Sequence, residues 1–300
     1  MQLPHQITSN RHAGHDALRL STRHGSATLA LHGAQLLSWQ PAGQREVLWL
    51  SPQALPEPAP IRGGVPLCWP WFARQGQSDS APQHGLARTL AWQVSAIHSC
   101  SDDEISLSLQ PRAQLGLQDE SAARLAELAP GLHVSLRITL GQTLSQTLHT
   151  QSMGSETFQL TQALHSYLAV GDAAQAAIEG LTGLAYQDKL RGMAPDVQRV
   201  PFAFAPDPTC DRIYHHPDAT QPKRYTLIDP VWQRRIVVET QGSESVVVWN
   251  PGLEGARQIA DMPDDGWRDF VCIEAANAGP DVVELAPGAQ HWLSQQLSIK

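Results

Sequence analysis

Strict alternation of apolar and polar residues is the feature that most constrains how this chain can fold. Residues 133–140, HVSLRITL, alternate without exception, residues 105–109, ISLSL, do the same, and residues 158–168 alternate more loosely. Residues 246–249, VVVW, form a short apolar run. A period of two sends successive side chains to opposite faces of an extended strand. These segments therefore predict strands, some half-buried and some buried on both faces.

A helix is predicted at one place. Residues 117–129, LQDESAARLAELA, put Leu117, Leu125 and Leu128 on a loose apolar face, and the Pro130-Gly131 pair that follows ends a helix. Pro and Gly, 22 of each, separate the strand segments at short intervals. Many short strands with few helices predict an all-β chain, folded as a large antiparallel β-sandwich. No linker or repeat divides the sequence, so we predict that residues 1–300 form a single domain.

Charge and cysteine content limit the classes of partner. The formal net charge is −8, whereas nucleic acids and anionic membranes attract basic surfaces, so neither is expected as a partner. We find no apolar run of transmembrane length, and the first residues, MQLPHQITSNRH, lack the apolar core of a signal peptide. The four cysteines are scattered and form no CxxC pair. We therefore expect a cytoplasmic protein with reduced thiols, and a monomer, since no feature demands an oligomer.

Two glycine-containing segments carry more chemistry than a turn needs. Residues 61–64 read IRGG and residues 83–88 read QHGLAR, which places Arg62 and Arg88 in neighbouring turns. The planar guanidinium group matches the oxygens of a phosphate, although either arginine could equally form a structural ion pair. The glycines would let the backbone approach a ligand closely. A local basic site in an acidic chain favours a small anion over a polyanion.

One histidine and two carboxylates stand in predicted strands. Alternation puts His165 on the polar face of residues 158–168, where it either lines a groove or is an ordinary hydrogen-bonded histidine. Glu274 ends the apolar segment VCIE, and apolar surroundings would raise its pKa towards that of a general base, whereas solvent would not. Asp211 opens the segment DRIY and could accept a hydrogen bond from a sugar hydroxyl or pair with Arg212.

Other conspicuous residues favour structural roles. Trp69 and Trp71 in CWPWFAR either stack on a sugar ring or belong to the core. The pair His215-His216 has no third ligand at a suitable spacing, so no metal site is predicted. No phosphate-binding glycine loop and no GxSxG motif occurs, and no cofactor is expected.

The order of these motifs closely resembles the glucose-6-phosphate 1-epimerase family, also called D-hexose-6-phosphate mutarotases, of the aldose 1-epimerase superfamily. The resemblance runs from about Leu18 to about Leu297. The motifs that carry it read, in chain order, IRGGVPLCWPWF, PQHGLAR, LTQALHSYLAVGD, GLTGLAYQDKL, DRIY, VVWNPG and VCIEAAN…VELAPGAQHWL. The chain departs from the family pattern CFPQFG, because Trp71 and Ala73 replace a Gln and a Gly. This departure bears on the choice of sugar more than on the chemistry.

The resemblance implies a galactose mutarotase-like super-sandwich with its site in a groove on one sheet. It implies a cofactor-independent mutarotase that interconverts the α and β anomers of D-glucose 6-phosphate and related hexose 6-phosphates. His165 would be the general acid, Glu274 the general base, and His84 a second active-site histidine near the ring oxygen. The substrate would be bound by Arg62, Gln83, Arg88 and Asp211. We also expect Glu274 to raise the pKa of His165 and keep the imidazole charged.

Three alternatives remain open on the residues alone. The same chemistry could act on an unphosphorylated sugar, and rates on glucose and glucose 6-phosphate separate the two. A sugar-phosphate binding protein would bind without turnover, and would have no need of a matched acid and base. A glycoside hydrolase would use Asp211 and Glu274 as a carboxylate pair, and the distance between the two carboxyl groups tests that reading.

Overall fold

A computed structural model of the chain describes residues 4–117, 119–205, 207–216, 218 and 220–300. The described residues form two short helices, α1 (Ala122–Leu128) and α2 (Gly252–Ala256). The strands, in chain order, are β1 (Ile7–His12), β2 (His15–Thr22), β3 (Gly25–Ala30), β4 (Leu36–Pro41), β5 (Leu67–Cys68), β6 (Trp92–Cys100), β7 (Ile105–Pro111), β8 (Leu132–Leu140), β9 (Leu144–Ser152), β10 (Phe158–Leu160), β11 (Gln162–Ala169), β12 (Ala177–Glu179), β13 (Ala185–Asp188), β14 (Ala194–Val197), β15 (Phe202–Ala203), β16 (Cys210–His215), β17 (Lys223–Asp229), β18 (Arg234–Gln241), β19 (Ser245–Asn250), β20 (Phe270–Asn277), β21 (Val283–Leu285) and β22 (Gln290–Ile299).

Two large antiparallel sheets make up most of the fold. The nine-stranded sheet has the order β15-β12-β17-β18-β22-β9-β8-β7-β6, and the seven-stranded sheet has the order β14-β13-β16-β19-β20-β11-β5. A four-stranded meander, β1-β2-β3-β4, and the pair β10-β21 complete the described strands. One continuous apolar cluster takes side chains from both large sheets, such as Leu136 of β8 and Ile273 of β20. This packing confirms the predicted all-β antiparallel sandwich.

The two sheets also meet through a buried polar contact. The hydroxyl of Ser166 on β11 donates to Oε1 of Gln295 on β22 at 2.8 Å, and Nε2 of Gln295 donates to Oε1 of Gln146 on β9 at 2.8 Å. All three side chains are buried. Hydrogen bonding offsets the cost of burying these polar groups in the core, and it fixes the two sheets relative to each other at this point.

Three predicted strands are confirmed. Residues 133–140 lie in β8, residues 105–109 lie in β7, and residues 246–249 lie in β19. In β8 every second side chain is buried in the core, as the alternation requires.

The single strand predicted over residues 158–168 is wrong in one respect. The chain leaves the extended ladder at Thr161, so that β10 pairs with β21 and β11 pairs with β20 and β5. The hydroxyl of Thr161 accepts a hydrogen bond from the backbone N–H of Phe72, and its own N–H donates to the carbonyl of Pro70. These bonds to the loop before Phe72 replace the ladder bonds of a continuous strand.

The predicted helix is shorter than expected and begins at Ala122. Just before it, the Asp119 carboxylate accepts from both the N–H and the hydroxyl of Ser121, which makes a local turn that competes with helix. Gln118, part of the predicted helix, lies outside the described residues. Leu125 is buried, whereas Leu117 is exposed.

None of the helices in the described ranges has the length and apolar character needed to cross a membrane. The prediction of a single domain over residues 1–300 stays a prediction.

Candidate active site

Strand register brings the predicted acid and base together. β11 and β20 are antiparallel neighbours, and His165 lies directly opposite Glu274. Side chains opposite each other across two strands project from the same face of the sheet. The Nε2 atom of His165 lies 3.4 Å from Oε1 of Glu274, and only 1% of the Glu274 side chain is exposed. Glu274 therefore lies inside β20 and in a pocket, and not at the strand end that the sequence indicated.

The glycines of IRGG and QHGLAR serve the packing of backbone on backbone. Gly64 has a φ of +62°, and a Cβ atom there would lie 2.0 Å from the carbonyl oxygen of Leu36. Gly85 has a φ of +75°, and its Cβ would lie 2.1 Å from the carbonyl oxygen of Trp69. Both positions therefore require glycine. The close approach is to neighbouring chain segments, whereas the sequence suggested approach to a ligand.

Arg62 is held by two partners, Asp261 and the pocket residue Tyr167. Its Nε donates to Oδ1 of Asp261 at 3.1 Å, and Nη1 donates to the hydroxyl of Tyr167 at 3.2 Å. Arg88 donates from Nη2 to the carbonyl of Gln83. These bonds orient both guanidinium groups while using only part of their hydrogen-bonding capacity, since an arginine has five N–H donors.

His84 is a neutral imidazole with a defined tautomer. Its Nδ1 accepts from the backbone N–H of Ala73 at 3.2 Å, which leaves the ring proton on Nε2. Burial lowers the pKa of His84 well below its usual value, and the positive charge of Arg88 adds to the effect. The rings of His84 and His165 meet edge to face, with centroids 5.8 Å apart. His84 can therefore donate a hydrogen bond beside His165 without carrying a charge.

Both tryptophans of CWPWFAR belong to the core. Trp69 donates from Nε1 to the hydroxyl of Thr150, Trp71 donates to the carbonyl of Pro82, and both side chains are fully buried. The aromatic residues beside His165 are instead Tyr167, stacked on it at 4.8 Å, and Trp249, edge-on at 5.7 Å between centroids. The change to Trp71 in this sequence therefore does not reach the pocket.

A pocket of about 340 Å³ contains all seven residues singled out from the sequence. Its lining residues are Arg62, Phe72, Gln83, His84, Arg88, His165, Tyr167, Lys189, Asp211, Trp249, Ile259 and Glu274. A larger cavity of about 800 Å³ is lined by residues 89–92, which follow QHGLAR, and by Arg112. None of the seven predicted residues lines it. The smaller pocket is therefore the candidate active site.

Lys189 is the charged pocket residue that sequence reasoning missed. Its ammonium lies 2.8 Å from Oδ2 of Asp211 and 5.5 Å from the centre of the Phe72 ring. The only signal was its place in the motif GLTGLAYQDKL, to which no role was attached. Three cationic side chains thus reach a pocket in a chain of net charge −8, which suits it to an anionic ligand.

Burial shifts the pKa values of Glu274 and His165 in opposite directions. It raises the pKa of the Glu274 carboxyl well above its usual value, with Asp211 adding to the rise and Lys189 opposing it. It lowers the pKa of His165 well below its usual value, and the charges of Arg62, Arg88 and Lys189 add to this. The expectation that Glu274 keeps His165 charged is therefore wrong for the free protein, because desolvation and three cations act against the imidazolium.

Within the described ranges no group of three or more His, Cys, Asp or Glu side chains is arranged to hold a metal ion. The absence of a cofactor stays a prediction.

Similarity to known proteins extends over nearly the whole chain. The family model described as aldose 1-epimerase matches residues 16–298. The chain is 38% identical over 253 residues to a protein of Escherichia coli named "putative glucose-6-phosphate 1-epimerase", a match covering 84% of this chain and 80% of the relative. A relative with the same name, from Cenchrus ciliaris, is 28% identical over 278 residues, a match covering 90% of this chain and 80% of the relative.

Solved structures agree with the sequence comparison. The crystal structure of a "putative mutarotase" of Salmonella typhimurium superposes with a TM-score of 0.85 at 32% identity, covering 99% of this chain and 95% of that one. A galactose mutarotase-like protein of Clostridium acetobutylicum gives 0.71 at 14% identity over 98% of both chains, which shows a shared fold. The chain belongs to the aldose 1-epimerase family and is an epimerase, an enzyme of the isomerase class.

Proposed function

We propose that this epimerase interconverts the α and β anomers of D-glucose 6-phosphate and related hexose 6-phosphates. The observation that carries the proposal is the buried His165–Glu274 pair at 3.4 Å, in a pocket that also contains Arg62 and Arg88. An acid and a base in contact can make the two proton transfers of ring opening, and the two guanidinium groups can bind an anion. The names of the relatives from Escherichia coli and Cenchrus ciliaris support the same substrate.

Ring opening requires two proton transfers at one edge of the sugar. Glu274, as carboxylate, takes the proton of the C1 hydroxyl, the C1–O1 bond becomes a carbonyl, and the C1–O5 bond breaks. His165, as imidazolium, gives a proton to O5. Rotation about C1–C2 then presents the other carbonyl face, and the reverse transfers close the ring. Each positioned acid or base contributes about 10²–10⁴-fold to such a step.

The pair shares one dissociable proton, and the substrate controls where it lies. In the free protein burial favours neutral His165 and protonated Glu274, because both charged forms are desolvated. A bound phosphate next to Arg62 and Arg88 cancels part of the positive field that opposes the imidazolium. The proton then moves across the 3.4 Å contact and creates the reactive pair of carboxylate and imidazolium. In this account the phosphate group supports the chemistry as well as binding.

The remaining pocket residues orient the sugar. Neutral His84, with its proton on Nε2, donates to an oxygen near the ring oxygen, and Asp211 accepts from a sugar hydroxyl. Gln83 carries the carbonyl that orients Arg88 and presents its own amide at the exposed rim. Tyr167 and Trp249 supply flat apolar surfaces around His165.

The test is the rate of α/β exchange of glucose 6-phosphate, measured by NMR saturation transfer with and without the protein, with free glucose run alongside. We expect acceleration for the phosphate ester and little for glucose. Equal acceleration of both sugars would move the assignment to an epimerase of unphosphorylated sugars. Binding of glucose 6-phosphate without acceleration would contradict catalysis on this substrate.

A further inference from the structure

Lys189 is placed by a rigid local structure at the edge of the pocket. It opens a 3₁₀ turn, Lys189–Arg191, directly after β13. The carboxylate of Asp188 accepts from the N–H of Leu190 at 3.0 Å and from Nε of Arg212 on β16 at 3.3 Å. These bonds tie the turn to β16, the strand that also carries Asp211. The lysine side chain can therefore lie along Phe72 and reach Asp211 on the adjacent strand β16.

The contact with Lys189 leaves half of the Asp211 carboxylate unused. Oδ2 of Asp211 pairs with Nζ of Lys189 at 2.8 Å, whereas Oδ1 is buried and has no hydrogen-bond partner within the described residues. Oε2 of Glu274 is likewise buried without a partner there. Leaving such a group unpaired costs free energy, so a ligand that donates hydrogen bonds to these two oxygens is favoured.

We propose that Lys189 is a positioning residue of the epimerase reaction, whose ammonium holds Asp211 as a carboxylate with Oδ1 presented to a sugar hydroxyl beside Glu274. This inference rests on the proposed function, since it concerns the same pocket and the same reaction. Lys189 acts through Asp211 and through its charge. Its observed side-chain contacts are with the carboxylate of Asp211 and the ring of Phe72.

Charge balance in the pocket supports the assignment. Asp211 faces Lys189, Glu274 and, from β13, Asp188, while Glu274 faces His165, Asp211 and Lys189. Asp211 and Glu274 repel each other when both are ionised, and Lys189 is the cation that lowers the pKa of each carboxyl against the effect of burial. Removal of the ammonium must therefore raise the pKa of both carboxyls and of His165, which Lys189 also lowers, so the doubly protonated, inactive form of the His165–Glu274 pair persists to higher pH.

The experiment compares Lys189→Met, Lys189→Arg and the control Arg191→Met, which removes an exposed charge from the same turn. Exchange of glucose 6-phosphate is followed across pH by saturation transfer, and each variant's thermal midpoint reports its folding. We expect Lys189→Met to lower kcat/KM about 10–100-fold, the range of one charge-assisted hydrogen bond, and to move the acidic limb of the profile to higher pH. Lys189→Arg should return the acidic limb most of the way to its original pH. Arg191→Met should match the unaltered protein in kcat/KM and in pH profile.

A second readout needs no turnover. Carboxyl ¹³C NMR of the unaltered protein and of Lys189→Met follows the titration of Asp211 and Glu274, with Asp211→Asn and Glu274→Gln assigning the signals. Higher midpoints in Lys189→Met support the proposal, whereas unchanged midpoints together with an unchanged acidic limb overturn it. A loss of activity that follows only the thermal midpoint would mean a structural role and also overturn it. If the unaltered protein fails to accelerate exchange, the proposed function fails. The carboxyl titration still tests whether Lys189 lowers the pKa of Asp211 and Glu274.

Discussion

The outer faces of the two large sheets differ in solvent exposure. In β8 of the nine-stranded sheet, core-facing residues alternate with partly or fully exposed ones such as His133 and Arg137. In β20 of the seven-stranded sheet every residue is buried, including Glu274 and Asn277. The outer face of this second sheet is covered by loops, which pack as two smaller apolar clusters around Trp49 and Phe72. The pocket opens between these clusters.

Charged side chains on the two outer faces therefore differ in solvation, and so in their effect on stability and on proton affinity. A charged side chain on the outer face of the nine-stranded sheet is solvated, and its contribution to stability is small. A charged side chain on the outer face of the seven-stranded sheet is desolvated, so burial changes its proton affinity and it needs partners. The same residue types should therefore respond differently to substitution in the two sheets.

The largest expected difference is between two glutamates. Glu274→Gln in β20 removes the proposed base, and we expect kcat for glucose 6-phosphate exchange to fall by about 10²–10⁴-fold. Glu239→Gln in β18 of the nine-stranded sheet removes a carboxylate that accepts from Arg224 and Gln296, far from the candidate site residues, and should leave the rate unchanged. Saturation-transfer rates at saturating substrate decide the matter. A normal rate in Glu274→Gln would show that the carboxylate is not the base.

A smaller difference is expected between two arginines. Arg88→Met removes a proposed phosphate ligand and should raise KM for glucose 6-phosphate by about 10–100-fold, the cost of a charge-assisted hydrogen bond. KM for glucose should be unaffected in this variant, since glucose carries no phosphate. Arg137→Met, on the exposed face of β8, is the control. An equal rise of KM for both sugars would argue that Arg88 does not recognise phosphate.

The contact between the sheets predicts a stability effect of about 1–3 kcal/mol. Gln295→Leu leaves the hydroxyl of Ser166 and the Oε1 atom of Gln146 without their buried partner, which costs about that much. Gln296→Leu, at the next position and facing outwards, should change stability by less than about 0.5 kcal/mol. Urea unfolding measures both. Equal free energies of unfolding for the two variants would mean that the buried contact adds nothing.

The smallest effect is a shift of one titration. Inorganic phosphate bound at Arg62 and Arg88 should raise the pKa of His165, because it offsets cations that lower it in the free protein. A pKa that rises on binding means that phosphate also binds more tightly as the pH falls through the titration of His165. Ring ¹⁵N signals of His165, with and without phosphate at constant ionic strength, give the direction. The rise should shrink in Arg88→Met, and a fall would contradict the proposed proton movement.

The nine-stranded sheet was largely predictable, and the covered sheet only in part. β7 and β8 could be predicted from alternation, because one face of each strand is more exposed to solvent and carries the polar residues. β11 is buried on both faces, so alternation could not show that its polar face is covered. The break at Thr161 depends on hydrogen bonds to the loop before Phe72, which no local pattern contains.

The candidate site divides in a similar way. The motif resemblance identified seven residues, and all of them line one pocket, although their roles stay proposals. Lys189 was missed because a lysine in a short turn has no distinguishing local pattern, and its importance comes from contact with Asp211 on another strand. The charge of His165 was misjudged because the sequence indicated one nearby carboxylate but not the desolvation or the three cations around it.

By itself, the sequence determined which segments are extended, which face of the wet sheet is apolar, and which residue types are available for acid–base chemistry. These properties depend on side-chain polarity at a spacing of two residues, which is local information. Tertiary structure alone decided that His165 and Glu274 are opposite each other, that both are buried, and that Lys189 lies against Asp211. Proton affinity depends on distance and on solvation, and both arise only when distant segments pack together.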